Sequence, residues 1–288
     1  MRVAFVGLGR MGWHLAGHLA AAGHELAVFD IDRDLADRWT TAFAGRAADS
    51  IADAVAGAEA VCSSVPADPQ LRIVWDEAAG ALAPGVVWID HSTTSAEIAR
   101  TLAAEAAERD CAFVDAPVSG GTVGAETGKL AVMAGGDPAA WETAERVVSA
   151  YAARATLIGP PGAGQLTKMA NQICVLGTGQ ALAEGLAFAE RAGLDPRRVL
   201  EVMLTGSSTS WMMENRAELM IEGTYDYGFS TTLMRKDVGL VLEEAERMGA
   251  ELPVTAIVAR LLDENDARGH AGDDWCSLME RQRAAGQP

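Results

Sequence analysis

The sequence predicts an α/β protein, an N-terminal doubly wound parallel sheet followed by a second, all-α domain. Two observations carry this. Short apolar runs alternate with Ala-, Leu- and Glu-rich amphipathic stretches through the first half, and the alternation stops near Pro160-Pro161, beyond which only helical spacing recurs. Strand and helix in turn imply right-handed crossovers between parallel neighbours. At 288 residues the chain exceeds one ordinary domain, so two are read, residues 1–161 and residues 162–288.

The predicted strands are residues 3–6, 25–29, 60–64, 86–89, 112–114 and 130–134, with a last one at 155–158. A long helix is expected over 165–191, closed by Gly193 in the left-handed conformation, with Asp195-Pro196 as cap and first turn of the next. Roughly 27 residues of helix extend about 40 Å, enough to bridge two domains. Farther on, Val238, Val241, Leu242 and Ala245, and again Val254, Ile257, Val258 and Leu261, recur at helical spacing and are read as core-facing stripes. Met203, Met212, Met213, Met220 and Met234 read as packing.

A hydrophobic fraction of 49% and a charged fraction of 22% exclude a disordered chain. The formal net charge of -17 opposes nucleic acid and anionic membrane as partners. Cys62, Cys111, Cys174 and Cys276 are scattered singly, without ligand spacing to a histidine, so no metal site is expected. His14, His18, His24, His91 and His270 read as surface or helix-flank residues. The chain starts directly in a strand, without an export signal, and no apolar run is long enough to cross a bilayer, so a cytoplasmic location is expected.

Three segments point to chemistry. Gly7-Leu8-Gly9-Arg10-Met11-Gly12 follows the first strand and opens a helix. In such a loop the first glycine permits the turn, the second lets backbone approach a pyrophosphate, and the third lets helix pack on strand. Asp30 ends the second strand at the offset expected of a carboxylate that receives ribose hydroxyls, which makes this a Rossmann dinucleotide site. A carboxylate repels a 2′-phosphate, so NAD is expected, while Arg33 nearby keeps NADP open.

The second segment, Asp115-Ala116-Pro117-Val118-Ser119-Gly120-Gly121-Thr122, leaves backbone N–H groups uncovered and so offers a concavity for a carboxylate; a plain flexible connection reads equally well there. The third, from Gly162 to Gln172, puts Lys168, Asn171 and Gln172 on one helix face. Alone it reads as a solvated face. Its place behind a dinucleotide-binding domain makes it a candidate site.

Together with Asp90-His91-Ser92-Thr93 and Lys236-Asp237, these segments resemble the 3-hydroxyisobutyrate dehydrogenase family, the β-hydroxyacid dehydrogenases that include tartronate semialdehyde reductases. The resemblance covers nearly the whole chain. It implies that Lys168 is the catalytic lysine, that Ser119, Gly120 and Gly121 hold a substrate carboxylate, and that Asn171 and Gln172 orient it, although many members carry asparagine where this chain has Gln172. It implies cofactor contacts from the loop Gly7 to Gly12, Val65, Pro66, Thr93 and Lys236. The implied reaction is NAD(P)-dependent hydride transfer between nicotinamide and a small 3-hydroxy acid or its semialdehyde, with Lys168 relaying the proton. Trp211 resembles a pocket position, and a homodimer or homotetramer is expected. The competing readings are an imine reductase of the same architecture, whose members usually replace this lysine, and a non-catalytic dinucleotide-binding module.

Overall fold

The structure, a computed structural model, describes residues 1–226 and 228–284. Its contacts divide the chain into two compact units, 1–168 and 169 onward. The first unit is built on one sheet with strands β1 (Arg2–Val6), β2 (Glu25–Phe29), β3 (Arg46–Ala47), β4 (Ala60–Ser63), β5 (Val87–Asp90), β6 (Ala112–Asp115), β7 (Val118–Ser119), β8 (Leu130–Gly135) and β9 (Ala152–Gly159). The spatial order is β3-β2-β1-β4-β5-β6-β8-β7, with β9 also paired to β8. The pairs from β3 through β6 are all parallel.

The sheet is mostly parallel, as expected, and its antiparallel pairs come past β6. β8 runs antiparallel to β6 and to β7, then parallel to β9. The two-residue strands β3 and β7 were not foreseen, because a period of two cannot show itself over two residues.

Sheet periodicity explains the core. In β1, Val3 and Phe5 join one buried cluster with Leu15, Leu19 and Trp39, while Ala4 and Val6 join another with Trp75 and Trp88. Both faces are therefore covered, as a crossover sheet requires. The flanking helices are α1 (Gly12–Ala21), α2 (Arg33–Ala42), α3 (Ile51–Val55), α4 (Asp68–Ala78), α5 (Ala96–Ala107), α6 (Gly121–Glu126) and α7 (Pro138–Val148). Strand order reverses between β1 and β4, the place where parallel sheets of this kind bind ligands at the strands' C-terminal ends.

Helix α8 (Ala163–Arg191) runs through the boundary between the units, and Gly193 follows it with φ +74. In the second unit, α9 (Pro196–Met203), α10 (Trp211–Glu222) and α11 (Thr231–Met248) start at Asp195, Ser210 and Ser230, whose side chains accept from the backbone N–H of Arg197, Met213 and Leu233. α12 (Pro253–Asn265) and α13 (Leu278–Ala284) complete it. Met212, Met213, Met220 and Met234 pack in its core with Leu176, Leu186, Val238, Val258 and Trp275.

Two expectations need correction. On α12 the buried face is Thr255, Val258, Leu262 and Asn265, whereas Val254 and Ile257 are exposed. Threonine and asparagine occupy core positions there, so an apolar count placed the stripe one position off. His91 is buried rather than a flank residue. Among the described residues no helix is long and apolar enough to cross a membrane, and no cluster of side chains could hold a metal.

Candidate active site

The glycine loop fits a dinucleotide at each position. Gly7 has φ +90, and a Cβ there would lie 2.3 Å from the Ser64 carbonyl oxygen, so only glycine lets the β1 and β4 loops meet. A Cβ on Gly12 would fall 1.9 Å from the Gly7 carbonyl oxygen. Gly9 is exposed and has open space before it, where a phosphate can approach the backbone. No side chain caps the start of α1; the amides of Trp13, His14 and Leu15 donate to the Gly9 and Met11 carbonyls, which winds the loop directly into the helix.

Asp30 braces this loop from β2. Its Oδ2 accepts from Leu8 N at 2.6 Å and its Oδ1 from Asp32 N at 2.9 Å. Arg33 is committed elsewhere, donating to Asp37, Asp49 and the Ala48 carbonyl. Exposed Ile31 separates Asp30 from Asp32.

The predicted contacts at Val65 and Thr93 are linked by a buried hub that sequence reading missed. Asp90 Oδ1 accepts from the hydroxyls of Ser63 and Ser92, both at 2.7 Å, and Ser92 Oγ in turn accepts from Val65 N at 2.9 Å. Trp88 Nε1 donates to Ser63 Oγ. Burial pushes the Asp90 carboxyl up to about 7, against the pull of those hydroxyls. Burial likewise lifts Asp115 to about 6, against its backbone hydrogen bonds.

A folded-state pKa above the unfolded value of about 3.9 means stability that is complete in acid and drains as pH rises through the folded pKa. For Asp90 the window is about pH 4 to 7, and about 2 kcal/mol should be lost between pH 5 and 7.5. Asp90→Asn, a neutral mimic, should therefore flatten the fall in melting temperature over that range. A slope equal to that of the unmodified protein would refute this.

The Ser-Gly-Gly loop is held from two sides. β7 pairs with β8 through Val118 and Ser119, and Met133 N donates to the Pro117 carbonyl. Gly120 and Gly121 take φ +125 and +61, which turns successive backbone groups out of the strand. Behind the loop, buried His91 bonds the Ala116 carbonyl through Nδ1 and Tyr151 Oη through Nε2, both at 2.8 Å. Burial lowers its pKa to about 4, so the ring is neutral: Nδ1–H donates to the carbonyl and Nε2 accepts from the tyrosine.

Lys168 is not on a solvated face. It is 9% exposed, and Nζ donates to the Val118 carbonyl at 2.8 Å, beside Ser119. Two buried groups hold its helix. Asp115 accepts from Gly162 N at 2.7 Å and Gln165 N at 2.9 Å, an anion at a helix N-terminus. Gln165, fully buried, donates to the Ser92 carbonyl and accepts from Thr94 N, tying the lysine's helix to the loop that carries Thr93. Both residues stood inside recognised motifs, yet only contacts more than 45 residues away in sequence reveal their work.

In the second unit, Asn171 Nδ2 donates to Gln172 Oε1 at 3.0 Å and Gln172 Nε2 to Asp237 Oδ2 at 2.7 Å. Lys236 Nζ lies 2.9 Å from Asp237 Oδ1. Asn171, Gln172 and Lys236 are thus joined through Asp237, which had been noted only as Lys236's neighbour. Trp211 is 43% exposed, with the Arg216 guanidinium 5.2 Å over its ring.

Comparison with known proteins agrees with this arrangement. Residues 2–159 match the NAD-binding domain of 6-phosphogluconate dehydrogenase, and residues 162–281 match the NAD-binding domain of NADP-dependent 3-hydroxyisobutyrate dehydrogenase. An uncharacterised oxidoreductase of Shewanella frigidimarina is 46% identical over 97% of both chains. An NAD-dependent L-serine dehydrogenase of Pseudomonas aeruginosa is 36% identical, again over 97% of both. The solved structure of Mycobacterium tuberculosis 3-hydroxyisobutyrate dehydrogenase with L-serine superposes with a TM-score of 0.88 at 30% identity, covering 98% of this chain and all of that one. With the glycine loop formed and a buried lysine set beside a Ser-Gly-Gly turn, the chain belongs to the 3-hydroxyisobutyrate dehydrogenase family of NAD(P)-dependent β-hydroxyacid dehydrogenases.

Proposed function

We propose that the enzyme interconverts a small 3-hydroxy acid of the serine or 3-hydroxyisobutyrate class with its semialdehyde, using NAD. The observation that carries this reading is the Lys168 amine seated on the Val118 carbonyl, one residue from Ser119. A proton-exchanging amine beside an anion-binding turn suits a hydroxyl and a carboxylate separated by two carbons.

The nicotinamide, when bound, takes up or returns the hydride of the carbinol carbon. Ser119 Oγ and the amides of Gly120 and Gly121 bind the carboxylate. Lys168 Nζ accepts the proton from the substrate hydroxyl during oxidation and returns it to the carbonyl oxygen during reduction. Asn171, one helical turn on, orients that oxygen. Gly7 to Gly12, Asp30, Val65, Pro66, Thr93 and Lys236 bind the cofactor. A panel of hydroxy acids followed by NADH absorbance tests the assignment. Turnover of none of the 3-hydroxy acids would overturn it.

NAD over NADP rests on Asp30 and on Arg33. The carboxylate repels a 2′-phosphate, and the nearest candidate cation is already paired with Asp37 and Asp49. The expected result is at least a tenfold higher kcat/KM with NADH than with NADPH, about 1.4 kcal/mol. A preference for NADPH would reverse it. Exposed Phe188, Val202 and Val254 on the helical unit support a homo-oligomer, readable by light scattering. A cytoplasmic location belongs to the same reading.

A further inference from the structure

Gln172 and Asp237 lie at 4% and 1% exposure, and the hydrogen bond between them has only one possible direction. An ionised carboxylate accepts and never donates. Asp237 therefore draws the Nε2 end of Gln172 toward itself, which leaves Oε1 facing Asn171. Asn171 must then turn its Nδ2 toward Gln172 and its Oδ1 to the other side. The carboxylate thus sets the orientation of Gln172, and Gln172 that of the Asn171 group facing it.

We propose that Asp237 is a positioning residue which, acting through Gln172, fixes the Asn171 amide so that Oδ1 accepts a hydrogen bond from the substrate hydroxyl. This rests on the function proposed above. Gln172 links α8 to Asp237 on α11. Lys236 Nζ stands beside Oδ1, and the bond from Gln172 to the carboxylate is charge-assisted. Among the described residues, Gln172 is joined to Asp237 and, through it, to Lys236 on α11; on its own helix Lys168 stands one turn earlier in sequence.

The test uses the full-length enzyme with Gln172→Glu and Gln172→Met. In Gln172→Glu two carboxylates face each other and cannot both ionise, so the chain is intact only while a proton bridges them. Its KM for the hydroxy acid should rise at least tenfold across a single ionisation that the unmodified enzyme lacks. The KM for NAD should stay within twofold. Gln172→Met, of similar volume but without hydrogen bonds, should raise the hydroxy-acid KM at every pH.

A second readout does not depend on turnover. The carboxyl introduced at residue 172 has a folded pKa above its unfolded one, so its contribution to stability is lost as pH rises. The melting temperature of Gln172→Glu should thus fall further below that of the unmodified protein across the same ionisation. A pH profile parallel to the unmodified enzyme, or a Gln172→Met KM within twofold, overturns the proposal. Absence of any hydroxy-acid turnover in the unmodified enzyme instead defeats the proposed function. The melting series then decides the Asp237 contact alone, and a pH-independent difference overturns it.

Discussion

Lys168→Ala should lower kcat by about 10²- to 10⁴-fold, the range over which a positioned acid–base group contributes, while NADH still binds with nearly unchanged affinity. The dinucleotide loop is remote in sequence and braced by Asp30, so nothing in its geometry needs the lysine. What the substitution removes is the amine held 2.8 Å from the Val118 carbonyl beside Ser119. Lys168→Arg should fail almost as badly, because a guanidinium keeps the charge but does not exchange a proton at neutral pH. Stopped turnover assays and fluorescence titration with NADH check both. A kcat within tenfold of normal in Lys168→Ala would remove the lysine from the chemistry.

The second large effect is expected at a residue that touches no substrate. A Cβ on Gly164 would lie 2.5 Å from the carbonyl oxygens of Asp115 and Met133 and 2.8 Å from Asp115 Oδ2. Two of these three obstacles are backbone in β6 and β8, so no side chain can swing aside. Gly164→Ala must push the start of α8 off the sheet, which also lengthens the Asp115 bonds to Gly162 and Gln165. Overpacking of this kind costs about 1–3 kcal/mol, or roughly 2–12 °C in melting temperature for a domain of this size. Because Lys168 sits one turn farther along, kcat should fall as well. Gly177→Ala, on the same helix with open space before it, serves as the control and should melt at or a little above the temperature of the unmodified protein.

These two residues also mark how far sequence alone carries. Gly7, Gly9 and Gly12 were legible because each acts within a short strand–turn–helix, and the structure gives each the steric setting its motif demands. The alternation of β1, β2, β4 and β5 with helices was legible for the same reason. Asp115 and Gln165 could be seen but not understood, since their partners arrive from 47 to 73 residues away. His91 was placed on the surface because a lone histidine carries no local sign of the carbonyl and tyrosine that enclose it. The misplaced stripe on α12 has another cause: Thr255 and Asn265 are polar residues in a packed position, Asn265 bonded to Ser277, and apolar spacing is blind to them. Gln172 fell between these cases, with its type recorded and its partner Asp237 hidden 65 residues ahead.

The Asp115 clasp has a consequence for dissecting the chain. A fragment cut after residue 161 would retain the carboxylate and lose the amides of Gly162 and Gln165 that donate to it, leaving a buried acid short of those donors. A fragment reaching residue 168 keeps the clasp, the Gln165 crosslink and the lysine seat together. The smallest autonomous piece of this enzyme is therefore set by where an aspartate finds its hydrogen bonds, one helical turn and more beyond the last strand.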